Sequence, residues 1–263
     1  MSVIFSYIIS NPDESPVLSD ALTSLAKFSD RIYLIDGGLL GGTMIQRPTV
    51  STPLRYWLGA SDEVQKVIQV GNRWVSKWNG VPLILIENTF LHPAAQRNFA
   101  LDIIEKEPEP PDWIVWIDSD EICSNEFAAN IRPYLDGVSL SVTNICPKWL
   151  TLVGNETLYF PEYSSWLSHA RIHRPKTARF SGQWHEHMDY TGERAEWNEY
   201  IIHTRMLYRE RLYNQRGHAR LNEGVWSGVN AKPIPQGVTF DLTWLDYEMR
   251  DVPFDADIRT WRP

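Results

Sequence analysis

The stretch from Asp112 to Glu121, Asp-Trp-Ile-Val-Trp-Ile-Asp-Ser-Asp-Glu, constrains the fold more than any other. Residues 113–117 are β-branched, aromatic and uninterrupted, too short and too sharply bounded for a helix, so they predict a buried strand. The run ends in three carboxylates. In an extended chain Asp118 and Asp120 leave the same face, where they repel each other unless a cation joins them. A hard divalent ion, Mn²⁺ or Mg²⁺, takes oxygen ligands and keeps positions open for phosphates. Read alone, an Asp-x-Asp is more often an acidic turn whose side chains cap a helix; its place after a buried strand is what favours a metal site.

The rest of the first half supplies partners for that strand. Val3–Ile9, Arg31–Asp36 and Val81–Ile86 read as further strands, and a helix is expected over about 16–28, with Val17, Leu18, Leu22, Leu25 and Phe28 at helical spacing. Strand, helix and strand over about thirty residues make a βαβ unit with parallel strands. A second helix, 94–106, opens at His92-Pro93 and stops before Pro108. A third runs from an N-cap at Ser124 to about Leu135. The Gly-rich run from Gly37 to Gly42 reads as a loop, and 54–80 as a mixed helical insertion. Together they predict an open, mostly parallel α/β sheet with helices on both faces. The expected organisation is a core domain over 1–204, with an insertion at about 39–80. A helical or irregular C-terminal extension over 205–263 would include one helix at about 204–222.

In open α/β sheets ligands sit outside the carboxyl ends of the strands. Three clusters lie at such ends: Asn11 to Glu14, Asp36, and Asp118 to Glu121. A carboxylate at Asp36 could accept hydrogen bonds from a ribose or a base edge; as a lone turn residue before Gly-Gly it would mean nothing. Gln96-Arg97-Asn98 falls in the first turn of a helix, where free N–H groups and a guanidinium favour a nucleotide or pyrophosphate. Further on, His185, Glu186 and His187 stand close together and His203 follows an apolar run. Two histidines without a nearby cysteine are a weak zinc signal. One imidazole completing the Asp118–Asp120 site is more economical, with His185 ahead of His203 and His187. Glu186, or secondarily Asp189, is the candidate base. Taken singly, each histidine is as readily structural.

Composition sets outer limits. A formal net charge of −8 argues against nonspecific nucleic-acid binding. Two cysteines imply no disulfide framework and point to a reducing, cytoplasmic setting. The N-terminal apolar stretch is too short for a membrane span and has no basic lead-in. Twelve tryptophans exceed the need of a core and suit stacking on sugars or bases.

Laid in order, Ser10-Asn11, Ile35-Asp36-Gly37-Gly38, Ala95-Gln-Arg97-Asn98-Phe-Ala-Leu101, Trp113 to Glu121 and Trp184-His185-Glu186 resemble glycosyltransferase family 2 of the GT-A superfamily. The resemblance covers roughly residues 1–40 and 81–205. It implies a GT-A-like nucleotide-binding α/β sandwich that transfers sugar from a nucleotide-sugar donor to an acceptor hydroxyl, with inversion, using Mn²⁺ or Mg²⁺. On that pattern Asn11, Asp36, Arg97 and Asn98 surround the nucleotide, and Asp118 and Asp120 meet the metal and diphosphate. The donor sugar and the acceptor, whether glycan, protein or small molecule, are not encoded in it. Two rivals share the expected sheet and carboxylates: a nucleotidyltransferase, which would need a Gly-rich basic loop absent from residues 9–16, and a non-catalytic sugar- or nucleotide-binding protein.

Overall fold

The computed structural model describes residues 1–10, 17–39, 68–70, 73–153, 155–160, 170–182, 187–206 and 232–242. Four parallel strands form the centre: β1 (Ile4–Ser10), β2 (Arg31–Leu39), β5 (Val81–Phe90) and β6 (Trp113–Asp118), in the spatial order β6-β1-β2-β5. Their middle stretches, Tyr7–Ile9, Ile32–Ile35, Leu83–Ile86 and Trp113–Ile117, are wholly aliphatic or aromatic because both faces are covered. Ile4, Ile8, Ile32, Leu34, Leu83, Leu85, Trp113, Val115 and Ile117 face one apolar cluster, closed by α1 (Leu18–Ala26) and α3 (Asn125–Gly137). The alternate residues, among them Tyr7, Tyr33, Ile35, Ile84, Ile114 and Trp116, face the other, closed by α2 (Pro93–Ile104). The expected α/β class and the helices on both faces are what the structure has.

The helix starts follow their chemistry. His92 Nδ1 accepts from the Ala95 N–H at 3.2 Å ahead of Pro93, and Ser124 Oγ accepts from the Phe127 N–H at 3.1 Å.

Antiparallel strands flank the parallel centre. On one side β4 (Arg73–Trp78) pairs β5 and β3 (Ile68–Val70) pairs β4. These strands correct the helical reading of 54–80 wherever it is described. Trp74 and Trp78 are four apart, an even spacing that puts two residues on one side of a strand as well as of a helix. Trp78 is fully buried, its indole N–H donating to Thr23 Oγ1 at 3.1 Å. The described start of the Gly-rich run is also strand: β2 continues through Gly37 and Gly38 to Leu39, paired with Asn88, Thr89 and Phe90. A Cβ on Gly37 would stand 2.4 Å from the Phe90 ring, so this glycine serves close approach.

On the other side, β10 (Ile172–His173) bridges β6 and β8 (Val142–Val153), both antiparallel. β8 pairs β9 (Asn155–Phe160) antiparallel and β13 (Glu193–Met206) in parallel, and β13 also pairs β7 (Glu121–Cys123) antiparallel. Residues 204–206 therefore end a strand where the sequence suggested the start of a helix; the remainder of that expected helix, from 207, lies outside the described residues. β11 (Ala178–Ser181) and β12 (His187–Tyr190) form a separate hairpin. Past β14 (Lys232–Pro233), residues 234–242 lie against the α1–α3 face, with the Asn125 N–H donating to Thr239 O at 2.9 Å and Lys27 paired with Asp241 at 2.6 Å. Among the described residues no helix is long and apolar enough to cross a membrane.

Candidate metal and nucleotide site at the carboxyl end of the sheet

Pairing aligns the carboxyl ends of the central strands: Ile9 lies beside Asp118, and Ser10 beside Asp36. At Asp118 the chain leaves β6, turns at Ser119 and Asp120, and re-enters a strand at Glu121. Glu121 closes this turn on itself, its Oε2 accepting the Asp118 N–H at 2.9 Å. The premise of an extended Asp-x-Asp fails here, and the two aspartates take different partners. Asp118 Oδ1 sits 2.8 Å from Arg97 Nη1 on α2. Asp120 Oδ2 sits 3.7 Å from His203 Nε2 on β13.

His203 reaches the turn because β13 pairs with β7 in a register that sets it opposite Glu121. Thr204 locks the contact: its N–H and its hydroxyl donate to Asp120 O at 2.9 and 2.8 Å. The far side of the imidazole meets Thr151, whose Oγ1 lies 3.4 Å from Nδ1, and the Trp149 ring edge-on at 5.2 Å. Nε2 is thereby left towards Asp120. Ligand atoms of Asp120, Glu121 and His203 lie within 4.8 Å of one another, a spacing that fits a single divalent ion. Both Glu121 oxygens already accept, Oε2 from Asp118 and Oε1 from Arg171 at 2.8 Å. Asp120 and His203 are thus the better-placed donors, a mixed oxygen and nitrogen set.

Electrostatics separates the three acids. Glu121 has no exposed surface, and burial pushes its carboxyl up to about 7, against the pull of Arg171 and with a further push from Asp118. Asp118 goes the other way: burial opposes ionisation, but Arg97 and Arg171 outweigh it and hold the carboxyl below the usual range. Both guanidinium groups are buried. Arg97 lies over the Trp116 ring at 4.4 Å and Arg171 over the same ring at 3.7 Å.

The other expected site residues distribute as follows. Asp36 is buried at the end of β2, and alternation puts it on the face of Ile32 and Leu34, opposite the face of Asp118. Asn98 uses its amide on the hairpin: Nδ2 donates to Phe180 O and Oδ1 accepts from the Phe180 N–H, each at 2.8 Å. Asp189 is exposed on β12, in register with Arg179. His187 is exposed on the same strand, opposite Ser181. Asn11, His185 and Glu186 lie outside the described residues. Sequence reasoning missed Arg171, Thr204 and Thr151, and gave Glu121 no role of its own. Only Glu121 carried a signal, its place directly after the Asp-x-Asp.

No family model matches the sequence, and no curated protein matches it. Solved structures do. A crystal structure of S. aureus TarS residues 1–349 aligns with a TM-score of 0.38 and 17% identity, covering 66% of this chain and 47% of that one. The same protein in complex with UDP-GlcNAc gives 0.40 and 16%, covering 66% and 45%. GalNAc-T7 with UDP, GalNAc and Mn²⁺ gives 0.37 and 12%, covering 72% and 30%. These similar structures are glycosyltransferases. This chain spans less than half the length of each. At such scores the superposition is loose, and the chemistry of the site has to come from this chain's own residues.

Proposed function

We propose that the chain is a metal-dependent glycosyltransferase that moves a sugar from a nucleotide-sugar donor to an acceptor hydroxyl with inversion. In this reading residues 1–204 are the catalytic unit and 205–263 an extension. The observation that carries it is the meeting of Asp120 and His203, 3.7 Å apart, at the carboxyl end of a parallel sheet. Asp120 and His203 would hold Mn²⁺. Bound there, the ion would supply positive charge against the donor diphosphate and the leaving nucleotide.

The chain's own residues do the rest. Arg97 and Arg171 hold Asp118 ionised beside the site, so its charge is fixed before the diphosphate arrives. Asn98 pins β11, the strand that precedes His185 and Glu186 in sequence. Glu186 is the proposed base, taking the proton of the acceptor hydroxyl as that oxygen attacks the anomeric carbon. Asp189 is its alternate.

A panel of nucleotide sugars tests this by thermal shift and donor hydrolysis, each with and without Mn²⁺. Stabilisation and turnover that require both donor and Mn²⁺, and are lost in Asp120→Asn, are the expected result. A chain that neither binds nor turns over any donor would overturn the proposal; binding without turnover would favour a sugar- or nucleotide-binding protein.

A further inference from the structure

Arg171 is an unusual residue to find buried. It sits immediately before β10, its N–H donating to Ile145 O at 3.1 Å and its carbonyl accepting from the Trp116 N–H at 2.9 Å. Its backbone is thus fixed between β6 and β8. The side chain is 3% exposed, so the guanidinium has no access to bulk water. It lies over two indole rings, Trp116 at 3.7 Å and Trp149 at 4.4 Å. Trp116 is itself held, its indole N–H donating to Ala170 O at 2.9 Å. Among the described residues, Nη2 alone of the guanidinium nitrogens has a hydrogen-bond acceptor, Glu121 Oε1 at 2.8 Å. Nη1 stands 4.0 Å from Asp118 Oδ2, an ion-pair distance without a hydrogen bond.

For stability alone this is a poor choice. A buried fork with most of its donors unmet is costly, and a well-packed apolar side chain of similar volume is often as good or better. We infer that Arg171 is a positioning residue: it fixes Glu121, and through Glu121 the turn that presents Asp120 to His203. The linkage is continuous. Arg171 holds Oε1 of Glu121, Oε2 holds the Asp118 N–H, and two residues on, the Asp120 carbonyl accepts from Thr204. The guanidinium lies over both rings, and a lysine ammonium would lack its planar fork. The metal consequence rests on the function proposed above; the fixing of the turn does not.

The test compares the parent with Arg171→Lys, Arg171→Met, and Arg171→Met combined with Glu121→Gln. It reads Mn²⁺ affinity by calorimetry, amide hydrogen exchange at Asp118 and Thr204, and thermal unfolding. Both single variants should bind Mn²⁺ about 10- to 100-fold more weakly. The Asp118 and Thr204 amides should exchange at least about tenfold faster, with those of Ile8 and Leu34 unchanged. The double variant, relieved of the buried Arg171–Glu121 pair, should melt near the parent without regaining either affinity or protection. Retained protection in the single variants overturns the inference. So does a double variant that recovers all three readouts, because Arg171 would then only neutralise Glu121. If the parent binds no Mn²⁺, the metal reading falls and hydrogen exchange alone decides whether Arg171 positions the turn. Should Arg171→Met fail to fold, the lysine and double variants carry the comparison.

Discussion

Glu121→Gln should make the protein less dependent on pH, with a sign that changes on the acid side of neutrality. In the folded chain the Glu121 carboxyl keeps its proton up to about pH 7, against an ordinary value of 4.5. Between these values the folded state binds more protons than the unfolded one, so this group's contribution to stability falls as pH rises. A displacement of that size amounts to about 3 kcal/mol, fully expressed above the folded value. Glutamine keeps the shape and never ionises. At about pH 4.5 the parent is already protonated here, and the variant differs only by one rearranged hydrogen bond to Arg171 or the Asp118 N–H, a loss of about 1 kcal/mol. At about pH 8 the parent carries the full burden of a buried charge and the variant none, so the variant should be the more stable by about 2 kcal/mol. Asp118 does not disturb the window: its depressed value removes stability only as pH falls below the ordinary carboxylate range, in both proteins. Urea unfolding in EDTA at the two pH values, parent against variant, measures the difference. Stability profiles that run parallel between them would refute the argument, since they would mean that Glu121 titrates alike folded and unfolded.

Three other outcomes follow from single contacts. Asp120→Asn and His203→Ala should each weaken Mn²⁺ binding by about tenfold or more by calorimetry, equivalent to about 1.4 kcal/mol; unchanged affinity in both would remove the cation from this turn. Gly37→Ala should destabilise the fold by about 1–3 kcal/mol in urea, because its Cβ would meet the Phe90 ring at 2.4 Å within a paired strand; a neutral result would show that the ring moves aside freely. Asn98→Ala should release the β11–β12 hairpin, raising amide exchange at Phe180 and Met188 while leaving the centre of β1 protected, since both amide contacts to Phe180 disappear.

The parallel centre was legible because its four strands are buried on both faces and so appear in sequence as unbroken apolar runs. The helix starts were legible because His92-Pro93 and Ser124 act within three residues. Signals that are local in space and in sequence survive reading. Where two structures share a signal, reading fails: the even spacing of Trp74 and Trp78 suits helix and strand alike, and Gly37-Gly38 suits a turn as well as a crowded strand. β8 and β13 left no periodic trace because they mix exposed and buried positions without a clean alternation: Trp149 and Leu150 are buried side by side after exposed Lys148, and so are Ile201 and Ile202.

The division of labour among the three carboxylates lay beyond local reading for a different reason. The sequence shows Asp118, Ser119, Asp120 and Glu121 in a row, and their chemistry as a group is plain. What each does depends on a two-residue turn and on the register of a strand eighty residues away. That register is set by apolar residues: Ile201 and Ile202 are both buried, paired with Cys123 and Ile122. Ile201 shares the strand face of His203 and Ile202 takes the other, and both are buried in the same apolar cluster, so packing on both faces holds the pairing that sets His203 opposite Glu121. The hydrophobic packing of two isoleucines is therefore what aims His203 at Asp120. Chemistry at this site is specified by residues that have none of their own.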